Sequence, residues 1–325
     1  MLSVGMRAIE WSLRSQPLKR ITPQQPKETV DEADEIPNLK RAARDAVDLM
    51  FNLRGCGWDW SKGLYIPPRN DTSRSRASVI LMSLFSSIQH ALLSDVVLYV
   101  IQWFSPTTFG SPAGGTIFDP SLPPNLRYAR SSFISSLACL NVYLAIQAHY
   151  QLFCCVGILV FGQHPSQWPP LFDEPWFSSS LADLWAKRWH QIFRQSFISI
   201  GSRPLSLLIG PLGKLFGAFL VSGLLHVLGL WGMGVGTEFW TVSGFFFMMA
   251  FGICLEEMWR RATGTKVGGF PGWAWTMAWS IAWSNILVDA WLRKGMAGAI
   301  FYPRALRPTK LLATFISDCY AYITR

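Results

Sequence analysis

Apolar residues fall in long unbroken runs, and charge is confined to the gaps between them. The runs cover roughly 78–104, 131–161, 205–232, 238–258 and 271–293. Each is near the ~20 residues that an α-helix needs to cross a hydrocarbon core. The run at 131–161 is long enough to tilt or bend, and a sixth, at 311–323, is shorter than a span. The pattern predicts an all-α, polytopic transmembrane protein.

Residues 1–77 are mostly polar, which divides the chain into an N-terminal polar, interfacial segment (1–77) and a multi-span membrane domain (78–325). The first residues, MLSVGMRAIEWSLRS, read as a short amphipathic piece or the remnant of an earlier segment. They lack the apolar core and cleavage site of a signal peptide. Both signs of charge are dense over 16–48, and Pro17, Pro23, Pro26 and Pro37 break that stretch. Residues 38–53 suit one amphipathic surface helix. The turn Arg54-Gly-Cys-Gly-Trp-Asp-Trp60 has a composition suited to a membrane interface.

The block 162–204 separates the second and third runs. Pro165, Pro169, Pro170 and Pro175 forbid a helix in its first part. Ser180-Leu-Ala-Asp183 reads as a capping box, so a helix is expected over 181–200. Trp185, Trp189, Phe193 and Phe197 recur every four residues and would form one aromatic stripe. Lys187, Arg188, His190 and Arg194 would occupy other faces. Such a helix lies in the interface or dips into a protein-lined cavity.

Composition agrees with a membrane protein. Half of the 325 residues are hydrophobic and 15% are charged, against about 25% in soluble domains. The 16 tryptophans suit the headgroup layer. The net charge of +9 sits in loops, with no basic, aromatic-interleaved soluble domain, so nucleic-acid binding is not expected. With 162–204 cytoplasmic, Arg69, Arg74, Arg76, Arg260, Arg261 and Lys266 share that side, as the positive-inside rule requires. Five spans then put Arg304, Arg307 and Lys310 on the far side, against the rule. Either a span is miscounted or one segment is re-entrant. No inverted repeat is visible. The six cysteines form no CxxC pair, so no disulfide framework and no metal site are expected.

Candidate chemistry centres on five histidines. His226 lies deep in an apolar run, where an ionisable group is costly and functional by default. Its helical neighbours include Ser222, Gly223 and Gly229, which leave room beside the ring. A core histidine bonded to a neighbouring helix is the equal alternative. On spacing alone His190, Arg188 and Arg194 better suit a plain interfacial face near headgroups. His90 and Asp95 match an H-x4-D acyltransferase pattern, but five-residue spacing puts them on different helix faces. His149 suits helix packing. Glu256, Glu257 and Asp289 mark membrane edges or pair with Arg260, Arg261 and Arg293. Asn285 and Asp289 share a face and could line a polar cavity. No P-loop, GxGxxG, GxSxG or HExxH occurs.

The block Ser-Leu-x-Asp-Leu-Trp-x-Lys-Arg-Trp-His190 resembles the S-L-x-x-F-W-x-R-R-W-H signature of the wax-synthase-like branch of the membrane-bound O-acyltransferase superfamily. Pro-Pro-Leu-Phe-Asp-Glu-Pro175 and Arg54-Gly-Cys-Gly-Trp58 are similar to further elements of that branch, and His226 follows His190 as the superfamily's histidine does. Lys187 stands for an arginine and Leu184 for an aromatic residue. The resemblance covers roughly 50–300. Members ordinarily carry more N-terminal spans, so this reads as a shortened or naturally short member.

The resemblance implies a helical cage around a buried tunnel, in a membrane such as the endoplasmic reticulum. It implies acyl transfer from acyl-CoA, acetyl-CoA above all, to the hydroxyl of an apolar acceptor such as a terpenoid or long-chain alcohol. His226 would be the general base, and His190 would orient substrate or stabilise the oxyanion. Trp185 and Trp189 would wall the chamber, with Ser222 and Asn285 as further substrate contacts. Lys187, Arg188 and Arg194 would meet CoA phosphates. A transporter with a His226 proton relay, a lipid-binding membrane protein, and a repurposed member cyclising or isomerising a terpene remain as alternatives.

Overall fold

The computed structural model describes residues 2–21, 39–61, 63–67, 75–299 and 307–323. Arg69, Arg74, Arg304, Pro23, Pro26 and Pro37 lie outside them. Two short helices open the chain, α1 (Leu2–Ser12) and α2 (Leu39–Phe51), both at expected positions. The long helices α3 (Arg76–Phe104) and α4 (Pro124–Leu159) follow as an antiparallel pair. Ser75 caps α3 by accepting the Ser78 N–H, and Pro124 starts α4, where no backbone N–H is needed. Buried serines tie the pair: Ser87 donates to the Ala148 carbonyl at 2.9 Å, and Ser94 to Asn141 at 2.8 Å. Small polar residues let helices approach closely in lipid.

The next segment departs from the expected single helix over 181–200. Residues Leu181–Asp183 form one turn, α5, and Leu184–Arg188 widen into a π-turn. Trp189 is then extended, with φ −78° and ψ 151°. Helix resumes at α6 (Arg194–Phe197), passes through a second π-turn (Ile198–Ser202) and continues into α7 (Arg203–Leu230). The aromatic stripe is therefore split. Trp185 packs on Trp189, while Phe193 packs on Phe197.

α7 itself reverses. Gly210 has φ 62° and ψ −138°, and Pro211 follows. A Cβ on Gly213 would lie 2.1 Å from the Leu205 carbonyl oxygen, and one on Gly217 would lie 2.4 Å from that of Gly201. Ser202 donates to the Lys214 carbonyl at 2.6 Å. Residues 194–209 and 211–230 are thus the two arms of a tight antiparallel hairpin. Glycine at its contacts is required, because any side chain would separate the backbones. The expected span 205–232 starts only after this reversal.

α8 (Phe239–Thr263) returns antiparallel to the second arm, with Gly223 against Ser243 and Phe246. α9 (Gly269–Arg293) packs on α4 and α8, and α10 (Pro308–Ile323) lies on α3. Among the described residues, four helical stretches are long and apolar enough to cross a membrane: Arg76–Phe104, Pro124–Leu159, Arg194–Val235 and Phe239–Thr263. The third of these is the folded hairpin. The fifth expected span is α9, whose tryptophans and serines lower its hydropathy below theirs. The chain is an integral membrane protein by this architecture.

Of the three far-side basic residues, Arg307 has a structural explanation, Arg304 lies outside the described residues and Lys310 is exposed. Arg307 is buried and pairs with Asp95 of α3 at 2.7 Å, and Asp95 also caps the Thr309 N–H. Arg130 donates to the Ile117 and Phe104 carbonyls, and Arg127 to those of Asp119, Pro120 and Leu122. Arg293 pairs with Glu238 and Asp289. These are fasteners for the connecting loops, so they do not count as free loop charge.

Candidate active site

Glu256 of α8 accepts the Leu181 and Ala182 N–H groups, at 2.6 and 3.1 Å, and the Trp275 indole N–H at 3.1 Å. Ser180 accepts the Asp183 N–H at 3.0 Å, as the capping box predicts. Asp183 turns instead to Arg188, at 2.6 Å. From this anchor the chain follows α8 inward: Leu181 lies beside Gly252, and Trp185 against Phe245 and Phe219. It turns at Trp189–Phe193 and leaves through the first arm of the hairpin. Gln191 stands in for the missing helical bonds by donating to the Trp185 and Trp189 carbonyls, both at 3.0 Å. The 181–193 segment thus runs along α8 and turns back, in place of one straight helix.

His190 lies near enough to His226 for a charge on one ring to be felt by the other. His226 lies between Phe246 of α8, 4.5 Å between ring centroids, and Trp291 of α9, 6.2 Å and nearly parallel. Its Nδ1 lies 2.8 Å from the Ser222 carbonyl oxygen. A carbonyl only accepts, so Nδ1 carries the proton and Nε2 keeps the lone pair. His90 and His149 make the same i−4 bond, at 2.7 Å each, so the tautomer alone does not single out His226. Its flanking rings and its neighbour do.

His190 packs on Phe172 and Trp189, at 5.7 and 5.6 Å. Its Nδ1 is buried without a hydrogen-bond partner among the described residues. Burial pushes this imidazole far below its ordinary value, to about 3, and the proximity of His226 and Arg54 acts the same way. It is therefore neutral near pH 7 and offers one N–H donor. Phe172 also packs on Tyr143 of α4, which extends the aromatic wall across to a second helix pair.

The other sequence candidates are placed as follows. Trp185 and Trp189 join this wall, and the Trp185 indole N–H is buried and unpartnered. Ser222 is buried and engages His226 through its carbonyl. Arg188 is committed to Asp183 and to the Asp173 and Glu174 carbonyls, so it braces the loop. Lys187 is exposed near the Tyr65 ring. Arg194 has no ion pair among the described residues. Asn285 donates to Ser132 at 3.0 Å and accepts from Ser135 at 3.0 Å, which locks α9 to α4. Asp289 holds Thr116 and the Ile117 N–H, so this face of α9 fastens neighbours. Asp95 serves Arg307, and His90 bonds Ser86, so the H-x4-D pair does not form.

The spacing arguments missed Arg54, Phe172, Phe246 and Trp291. Arg54 stood in a recognised motif. Phe172 also stood in one, Pro-Pro-Leu-Phe-Asp-Glu-Pro175, whereas Phe246 and Trp291 are aromatic residues in aromatic-rich runs and carry no separate signal. The Gly/Trp turn also differs from expectation. Trp58 and Trp60 are buried, with Trp58 donating to Asp48 at 2.8 Å.

Residues 168–249 match the model of the membrane bound O-acyl transferase family. The match contains the 181–193 segment, the hairpin and both histidines. Over these residues the chain is similar to that family. It is 26% identical over 243 residues to the acetyltransferase ple2 of Rhodocybe pseudopiperita, covering 71% of this chain and 59% of that protein. It is 25% identical over 262 residues to the acetyltransferase pyr8 of Aspergillus fumigatus, covering 69% and 57%. A probable long-chain-alcohol O-fatty-acyltransferase of Arabidopsis thaliana is 29% identical over 121 residues, 35% of each chain. These plant and fungal names match the wax-synthase-like branch read from the sequence. The chain spans somewhat more than half the length of the first two relatives.

Proposed function

We propose that this protein is an acyl-CoA-dependent O-acyltransferase that esterifies the hydroxyl of an apolar acceptor. Acetyl-CoA is the donor best supported, because the relatives that cover most of the chain carry acetyltransferase names. A terpenoid or long-chain alcohol suits the aromatic walls. The observation that carries the reading is the pair of His226, whose Nδ1 bond leaves the lone pair on Nε2 and whose ring packs on two aromatic rings, and a neutral His190 near it.

The chemistry uses these groups directly. His226 Nε2 accepts the alcohol proton as the alcohol oxygen attacks the thioester carbonyl carbon. The carbonyl oxygen becomes an oxyanion and takes a hydrogen bond from His190 or the Trp185 indole. The carbon–sulfur bond then breaks, and the leaving thiolate recovers the proton from His226. The 181–193 loop buries this site in the membrane, with its basic face toward the cytosol, where charged CoA resides. An endoplasmic reticulum membrane fits that supply.

The test is expression in microsomes with radiolabelled acetyl-CoA and a panel of apolar alcohols. Labelled ester in the lipid extract supports the reading. Label that accumulates without ester would point to transport instead.

A further inference from the structure

Arg54 is 7% exposed and has no carboxylate partner among the described residues. A buried unpaired charge is costly, so it calls for an explanation. Its Nη1 is fixed, donating to the Pro169 carbonyl at 3.0 Å and the Tyr150 hydroxyl at 3.3 Å. Its Nε and Nη2 are buried and unpartnered. Those two N–H groups form one edge of the guanidinium, the edge that grips two oxygens of a single anion side by side.

The surroundings extend the same theme. A small cleft opens here, lined by Arg54, Trp60, Ser61, Gln191, Arg194 and Gln195 among others. No carboxylate lines it. The Trp60 indole N–H is a further buried donor without a partner. Nearby acids are already consumed: Glu10 by Arg7 and Ser196, and Asp48 by Trp58, Gln163 and Arg20. Gln191 immediately follows His190 in the 181–193 loop.

We infer that Arg54, with Arg194 and Trp60, forms a receptor for one phosphate group of the CoA thioester. This rests on the acyl-CoA reading above. A thioester carbonyl is neutral until it is attacked, so it would leave the guanidinium unpaired in the ground state. A phosphate is charged throughout binding and turnover. The assignment also moves phosphate recognition away from Arg188, whose donors are already committed, to the Arg-Gly-Cys-Gly-Trp turn.

The experiment measures binding to the purified full chain, apart from catalysis. CoA, dephospho-CoA, 4′-phosphopantetheine and pantetheine form a ladder of phosphate removal. On the wild type, affinity is expected to fall at least tenfold at one step, which identifies the phosphate held. R54Q is expected to lower CoA affinity at least tenfold and to flatten that step. R54K keeps the charge without the fork and falls between. K266Q, on an exposed loop, leaves the ladder intact. A flat ladder on the wild type overturns the proposal even if R54Q fails to fold. So does an R54Q variant that weakens pantetheine as much as CoA, since that pattern fits contact with the acyl group.

If the wild type binds no CoA, the acyl-CoA reading fails, and inorganic phosphate then tests the cleft alone. Protection from thermal unfolding by phosphate that is lost in both R54Q and R194Q keeps the anion receptor. No protection removes it.

Discussion

Glu256 Oε1 accepts the backbone N–H of Leu181 at 2.6 Å, which pins the entry of the 181–193 loop to α8. Its other oxygen takes Ala182, and no basic side chain among the described residues neutralises it. Removing it strands two backbone donors and an indole N–H. E256A should cost on the order of 1–3 kcal/mol, the usual penalty for orphaned buried donors. Activity should fall as well, because His190 hangs from this anchor. E256Q keeps an acceptor and should fall between. Thermal unfolding in detergent and the turnover rate check both points. Wild-type behaviour of E256A would mean that the loop is held elsewhere.

The Asp95–Arg307 pair should behave as a buried pair. Breaking it leaves an uncompensated charge, at a cost of about 3–5 kcal/mol, whereas replacing both partners by apolar residues can be neutral. D95L and R307M should each destabilise strongly, and the double variant should recover most of the loss. Melting temperatures of the three proteins check this. Additive losses would show that the two residues act independently.

His190 gives stability a pH dependence whose sign is fixed. In the unfolded chain it takes a proton below about pH 6.5. In the folded protein burial holds it neutral down to about 3. The unfolded state therefore binds more protons between those values, and stability falls as pH drops through that window. Above it the contribution is flat. From pH 7 to pH 5 this amounts to about 2 kcal/mol. H190Q, which cannot titrate, should lose less melting temperature than wild type over the same change. Parallel curves for the two proteins would contradict a desolvated His190.

The sequence was most legible where physics demands length. Apolar runs of membrane thickness announced α3, α4, α8 and the second hairpin arm. The reversal at Gly210–Pro211 was missed although a Gly-Pro pair signals a turn, because the apolar run continues on both sides of it. The break at Trp189–Phe193 lacks glycine and proline, and the Gln191 side chain supplies its hydrogen bonds. The motif ending in His190 and the buried position of His226 were visible. Their proximity was not, since it depends on how the chain folds back between them. Asn285 and Asp289 read as cavity residues because spacing cannot reveal that α4 and the 116–117 loop already occupy their polar atoms.

The central claim is that His226 Nε2 removes the acceptor's proton. Positioned general bases contribute about 10²–10⁴-fold. The direct measurement is the rate of ester formation from radiolabelled acetyl-CoA by H226A, with protein amount and folding matched to wild type. The account predicts a loss of turnover of at least about 100-fold, with CoA binding retained. Ester formation at the wild-type rate would contradict it.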